Sequence, residues 1–209
     1  NGSFTVFAPT DAAFAQYLTD NSLADLNAIP VAELRNLLLY HVLQRINRTE
    51  NFLAGYAKTS ASNPNQENLD LYIQTTPVFL INNSVSITTA DLNANNGIVH
   101  ITDKVLTLPT LATLVTANPS FSNLTTALIQ EGLDAALENT MTTGAVPAPF
   151  SVFAPTDGAF QALINEDTTD SLNTIADVLA LPNLRDILLN HVVRSRCLRI
   201  ADFTYDLMF

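Results

Sequence analysis

One phrase of eleven residues occurs twice in this chain, FTVFAPTDAAF at residues 4–14 and FSVFAPTDGAF at residues 150–160, 146 positions apart. Such a chain arose by duplication, so any fold it adopts must suit two copies. A second pair, LRNLLLYHVL at residues 34–43 and LRDILLNHVV at residues 184–193, is offset by 150 positions. The slip of four residues predicts a loop insertion between two fixed elements. A period near 150 exceeds the roughly 20 to 50 residues of solenoid and propeller units and matches an autonomous domain.

The copies do not coincide with the ends of the sequence. Residues 108–149 precede the second phrase and have no counterpart before residue 4, while residues 60–107 follow the first copy and have none after Phe209. The expectation is a fragment of a longer tandem array; an exchange of segments between two molecules is the alternative.

Bulk properties narrow the function classes. The chain is 47% apolar and 14% charged, without an apolar run long enough to cross a bilayer. Its formal charge of −11 opposes nucleic acid and anionic lipid surfaces. A lone cysteine, Cys197, leaves no internal disulfide and no cysteine-based metal site. Stability is expected to come from an apolar core.

The repeated phrase reads as strand, turn and helix start. Phe4, Val6 and Phe7 favour a strand, Thr10 and Thr156 can cap the following helix, and Asp11 and Asp157 set negative charge at its positive end. Phe14, Tyr17 and Leu18, like Phe160, Leu163 and Ile164, fall at i, i+3, i+4 and predict one core-facing helix face. In the second repeated element Leu34, Leu37, Leu38 and His41 form a helical stripe, matched by Leu184, Ile187, Leu188 and His191. Each histidine therefore lies on an apolar stripe, and the core reading outweighs the ligand reading. Strands are expected within residues 69–106, with a tight turn at Asn82 and Asn83 and another at Asn96 and Gly97. Residues 110–138 return to a helical pattern that includes Leu124, Leu128 and Ile129, residues 139–149 read as a polar loop, and the domain junction falls near residues 106–109.

Three ordered blocks, TVFAPTDAAF, the pair Tyr40-His41 and NGIVHITD at residues 96–103, resemble the fasciclin-like domain family. The second copy holds the first block, has Asn190 in place of the tyrosine beside His191, and ends before the third. The resemblance implies an α+β fold of small helices packed on a β-sandwich-like wedge, in tandem. Residues 1–107 would be one such domain lacking its N-terminal helices, and residues 108–209 another lacking its C-terminal strands. It also implies a noncatalytic role in adhesion, extracellular or at the cell surface, with a protein or polysaccharide partner and no cofactor. The family's adhesion motifs map here to Tyr40 and His41 with Leu37, Leu38, Val42 and Leu43, to Asp91 and Leu92, and in copy two to His191. Thr10, Asp11, Thr156, Asp157, Asn96, Gly97 and His100 are read as architectural. Self-association stays open.

No nucleophile elbow, phosphate loop or metal-ligand spacing occurs, so neither catalysis nor a metal is expected. A small-molecule or saccharide binding protein is the alternative to adhesion, and a spacer is the third reading. A deep pocket with convergent polar groups would favour the small-molecule or saccharide alternative.

Overall fold

A computed structural model of the chain describes residues 2–138, 150–168, 171–194 and 198. The loop read over 139–149, and Cys197, lie outside them. Contacts divide the chain into two units, Asn1–Pro109 and Thr110–Phe209.

In the first unit a strand β1 (Phe4–Pro9) leads to helices α1 (Asp11–Asp20) and α2 (Val31–Tyr40), then to strands β2 (Val42–Leu43), β3 (Gly55–Ser62), β4 (Asn68–Gln74), β5 (Leu80–Ile81), β6 (Val85–Ala94) and β7 (Gly97–Thr102). The seven strands lie in the order β2-β1-β7-β6-β5-β4-β3. All neighbours are antiparallel except β1 and β7, which run parallel.

Local chemistry sets the turns. The Thr10 hydroxyl accepts the Ala13 amide at 3.2 Å and starts α1. Asn82 and Asn83, at φ of 49° and 54°, turn the chain from β5 to β6, as expected of a residue type that tolerates the left-handed region. Gly97 is required for another reason: a Cβ there would lie 2.2 Å from the Phe4 carbonyl oxygen, because β1 passes directly against it. Phe7, Tyr40, Leu43, Leu71, Ile73, Ile81 and Leu106 fill the core between α2 and the sheet.

The second unit begins with helices α3 (Leu111–Ala117), α4 (Ser122–Gln130) and α5 (Asp134–Leu137). Strand β8 (Phe150–Val152), helices α6 (Asp157–Glu166), α7 (Ile175–Leu179) and α8 (Leu184–Asn190), and strand β9 (Val192–Arg194) follow. Its core joins Leu124, Leu128, Leu133 and Leu137 to Phe160, Ile164, Leu184 and Leu188. The architecture of the whole is thus α+β, with two units in tandem.

The repeated words build the same object twice. Val6 pairs with Val42 and Thr5 with Leu43; Val152 pairs with Val192 and Ser151 with Val193. The Phe7 amide donates to the His41 carbonyl at 2.9 Å, and the Phe153 amide donates to the His191 carbonyl at the same distance. Helices α1 and α6 both have ten residues. The four extra residues of copy two therefore fall between α6 and α8, where α7 stands in place of a single 3-10 turn, Leu26–Ala28.

The helix pair proves to be apolar on two sides, which corrects the single stripe expected above. In the first unit Ala13, Leu37, Tyr40 and His41 are buried, whereas Leu38 is 46% exposed. In the second unit the Leu38 equivalent, Leu188, is 3% exposed, and Phe160, Ile164 and Leu184 are buried with it. Leu163 and Ile129, both expected to face a core, are exposed. Three apolar positions per turn cannot all face one neighbour, and a stripe read by spacing does not say which of two neighbours each one meets.

Substituting Gly97→Ala should destabilise the first unit by about 2 kcal/mol or more, because the conflict is with backbone rather than a movable side chain. Urea unfolding followed by tyrosine fluorescence reads this unit, since four of the five tyrosines lie in residues 1–109. An unchanged midpoint would refute the close approach of β1 to β7.

Candidate functional site

The adhesion candidates of the first unit lie at the end of α2 and in β2, and on the bulged strand β6; His191 belongs to the second unit. Tyr40 is fully buried at the end of α2. Its hydroxyl donates to the Asp70 carbonyl at 2.8 Å and accepts from Asn82 Nδ2 at 3.0 Å. Asn82 Oδ1 in turn accepts the Tyr72 amide at 2.8 Å, so one side chain ties α2 to both β4 and the β5–β6 turn. Burial holds the phenol well above the ordinary tyrosine pKa, opposed in part by the Asn82 bond.

His41, next in the chain, is also buried. Nδ1 meets the Leu37 carbonyl at 2.9 Å and Nε2 accepts the Leu106 amide at 2.9 Å. These partners select the neutral ring with its proton on Nδ1; a second proton on Nε2 would face the Leu106 N–H. Burial accordingly lowers the His41 pKa below its ordinary 6.5, against a smaller opposing effect of the Leu37 carbonyl. His191 repeats the first of these bonds, with Nδ1 2.9 Å from the Ile187 carbonyl, and is half-buried beside exposed Asn190.

His100 in β7 is a second buried strut. It stacks on Phe7 at 5.7 Å between ring centroids and lies 5.8 Å from Phe52. Its Nδ1 accepts the Asp91 amide at 3.2 Å, and its Nε2 donates to the Asn47 carbonyl at 2.9 Å. Asp91, at φ 60°, sits where β6 slips register between Thr89 and Leu92. The bulge removes its amide from the strand ladder, and the histidine satisfies it. The Asp91 carboxylate accepts both the hydroxyl and the amide of Thr49, and the hydroxyl bond is the main reason its pKa is depressed.

Of the nine candidates, then, Leu37, Tyr40, His41 and Leu43 are interior, Val42, Asp91 and His191 are half-buried, and Leu38 and Leu92 are exposed. The structure brings Val42 and Leu92 onto one line: Val42 pairs with Val6, Val6 with Val99, and Val99 with Leu92. At about 4.8 Å per strand the row spans roughly 14 Å. Asn93, next along β6 and so on its other face, accepts from Arg48 at 2.8 Å through Oδ1.

Sequence reading overlooked Thr5 and Asn36. The buried Thr5 hydroxyl donates to the Arg45 carbonyl at 2.7 Å and accepts the Asn47 amide at 2.8 Å, closing the chain that leaves β2. Its signal was present, since the other copy also carries a hydroxyl there, and Ser151 Oγ accepts the Leu198 amide. The Asn36 side chain both donates to and accepts from the Ser62 backbone, pinning α2 to the end of β3. Among the described residues no three His, Cys, Asp or Glu side chains converge as metal ligands would.

Two grooves border these elements. One of about 500 Å³ is lined by Ala32, Arg35, Asn36, Leu39, Ser62, Asn63 and Pro64; the other, about 290 Å³, lies over Phe4, Val6, Val42 and Val99. Among the described residues no helix is long and apolar enough to cross a membrane.

Comparison with known proteins accounts for both halves. The model of the Fasciclin domain family matches residues 1–109 and 119–204. The transforming growth factor-beta-induced protein ig-h3 of Sus scrofa is 30% identical over 201 residues, covering 93% of this chain and 26% of that protein. Periostin of Homo sapiens is 30% identical over 165 residues, covering 78% of this chain and 18% of its own length. Stabilin-2 of Rattus norvegicus is 28% identical over 195 residues, covering 83% and 13%. The chain thus spans about a quarter or less of these relatives. A solved domain pair of the insect cell adhesion molecule fasciclin I shares the fold, with a TM-score of 0.55 at 20% identity, covering 96% of this chain and 68% of that one.

Tyr40→Phe should cost about 1 to 3 kcal/mol, because the Asn82 amide and Asp70 carbonyl lose a buried partner; tyrosine-detected urea unfolding measures it. The neutral His41 makes the first unit pH-sensitive. The unfolded histidine takes up a proton near 6.5 and the folded one only below that, so this contribution to stability is complete above 6.5 and is lost as pH falls through the lower folded value. The slope should grow as pH falls below 6.5, with about 1.4 kcal/mol per pH unit as its ceiling for one proton. His41→Gln should flatten it, and an equal slope in the variant would show that another group is responsible.

Proposed function

The chain belongs to the fasciclin domain family, and on that premise we propose that it is a noncatalytic adhesion module, extracellular or displayed at a cell surface, that binds a protein or polysaccharide partner. One observation carries the reading: the polar pair of the central block, Tyr40 and His41, is engaged inside the fold. Tyr40 and His41 in the first copy, and the threonines that open each helix, have backbone or side-chain partners within their own unit. The Tyr40 proton and both His41 ring nitrogens are thus committed to partners within the fold rather than to a substrate. The insect protein of the same fold is a cell adhesion molecule.

On this reading Tyr40, His41, Leu37 and Leu43 act from beneath the surface, and contact is made at the exposed end of the row, by Leu92 with half-buried Val99 beside it. Each complete domain would run from helices of the 110–138 kind to strands of the 55–102 kind, with residues 1–107 and 108–209 each holding part. Tandem copies would add avidity without new chemistry. The saccharide alternative rests on the groove beside Arg35. It is the weaker reading because Asn36 is already bonded to Ser62 and Asn63 to Glu67, leaving few polar groups to converge on a ligand.

A solid-phase assay of the chain against whole cells and matrix polymers tests the proposal. Binding should exceed that of an unrelated protein of equal charge, and Leu92→Asp should weaken it about tenfold with an unchanged melting temperature. Binding at the level of the control, or indifference to Leu92→Asp, would reject this site.

A further inference from the structure

His100 is fully buried in β7, and both of its ring nitrogens are in use. The Asp91 amide can only donate, so Nδ1, 3.2 Å away, carries no proton, and the ring proton sits on Nε2 and is given to the Asn47 carbonyl at 2.9 Å. A second proton would have to enter on Nδ1, where it would point at the Asp91 N–H. The ring therefore charges only if that amide leaves.

The peptide plane between Ala90 and Asp91 has a second position within reach. Asp91 stands at φ 60°, in the left-handed region that disfavours residues with a Cβ. Turning this one plane over rotates ψ of Ala90 and φ of Asp91 by about half a turn in opposite senses, with ω and the flanking Cα positions kept. φ of Asp91 then falls near about −120°, in the extended region open to any residue. The turn also exchanges the groups on the two sides of the plane, so the N–H leaves Nδ1 and the Ala90 carbonyl takes its place. A carbonyl is the partner that a protonated Nδ1 requires. One movement thus relieves the backbone and matches the charged ring.

The surroundings permit it. The Asp91 carboxylate is tied to the hydroxyl and amide of Thr49, which holds the residue in place while the plane turns. The register with β7 slips between Thr89 and Leu92, so neither Ala90 nor Asp91 is paired with a residue of that strand. On the other edge β5 reaches only Val85 and Ser86, and Ala90 is exposed, so a displaced N–H meets water. Phe7 of β1, Phe52 and the Asn47 carbonyl pack round the ring without charge. The charges acting there are the Asp91 carboxylate, kept anionic by Thr49, and beyond it Arg48, which is bonded to Asn93. A carboxylate beside the ring favours its charged form.

We propose that the Ala90–Asp91 peptide is a pH-operated switch beside Leu92, set by the protonation of His100. With His100 neutral the plane turns its N–H to the ring and its carbonyl to solvent; with His100 charged it turns its carbonyl to the ring and its N–H to solvent. The turned state holds one proton more, so its share rises as pH falls, by at most about tenfold per pH unit for a single proton. Its consequence for recognition rests on the adhesion reading: the backbone group offered to a partner next to Leu92 changes from acceptor to donor. The switch itself needs no partner, so its failure and the failure of that reading are separate results.

Solution NMR of the intact 209-residue chain, titrated from about pH 8 to about pH 5 where an imidazole charges, reads the switch directly. The His100 ring nitrogens should charge, and the Asp91 amide shift and its coupling to the Asp91 Hα, which reports φ, should change with the same midpoint. The Tyr72 amide in β4, bonded to Asn82, should stay unchanged and so exclude unfolding. Asp91→Asn keeps a residue that tolerates both backbone regions and removes the charge, and should move the midpoint to lower pH. His100→Gln should hold the Asp91 coupling constant throughout; the Asp91→Asn titration carries the test should that variant not fold. A constant Asp91 coupling while His100 charges, a ring still neutral at about pH 5, or Asp91 and Tyr72 amides that change together would each overturn the proposal.

Discussion

The fold depends on a single antiparallel pairing between the strand that opens the repeated phrase and the strand that follows the repeated histidine. The helix pair enclosed by these two strands has to return the chain to its own start, and the Phe7 amide bonded to the His41 carbonyl fixes where it returns. The same register in β8 and β9 shows that this closure survives four extra residues in the enclosed loop. Loop closure entropy rises only slowly with length, so the insertion is tolerated where a slip in register would not be. In the first unit the Thr5 hydroxyl reinforces the closure, and the further strands are built outward from it through the parallel pairing of β1 with β7.

A helix pair so anchored is a middle layer. Toward the sheet it presents the hydrogen-bonded Tyr40 and His41, and β3 meets α2 with the small residues Ala57, Thr59 and Ala61 pointing inward. Away from the sheet it presents larger aliphatics and Phe14, which is where the second unit places α4. Phe7 is fully buried under Phe52 and His100, whereas its counterpart Phe153 is 49% exposed. Each unit thus displays one side of the layer covered, and the two together define both.

That arrangement explains what the sequence made legible. The strand–turn–helix sense of the phrase, the Thr10 and Thr156 caps, the Asn82–Asn83 turn and the strand around His100 all follow from local propensity, and all are found. Strand β3 was missed because its inward residues are too small to register as apolar alternation. Tyr72, between Leu71 and Ile73, is buried as they are, against Tyr56 with a ring separation of 5.1 Å, so β4 shows no polar alternation there. Leu38 was misread because spacing identifies an apolar position without saying which neighbour covers it. The row from Val42 to Leu92 was invisible, since it depends on a parallel pairing across more than ninety residues and on a bulge whose position no local pattern marks.

The buried polar residues of the first unit have a common physical role. An all-aliphatic core would tolerate β6 at several registers against β7, whereas the Asp91 amide freed by the bulge has to find an acceptor, and His100 offers one at a single position. Likewise the Asn82 side chain bridges the Tyr72 amide and the Tyr40 hydroxyl only when α2 stands at the correct height on the sheet. Leaving any of these groups unpaired would cost about 1 to 3 kcal/mol each, comparable with the margin of stability of a small domain. Such residues exclude wrong packings of the first unit.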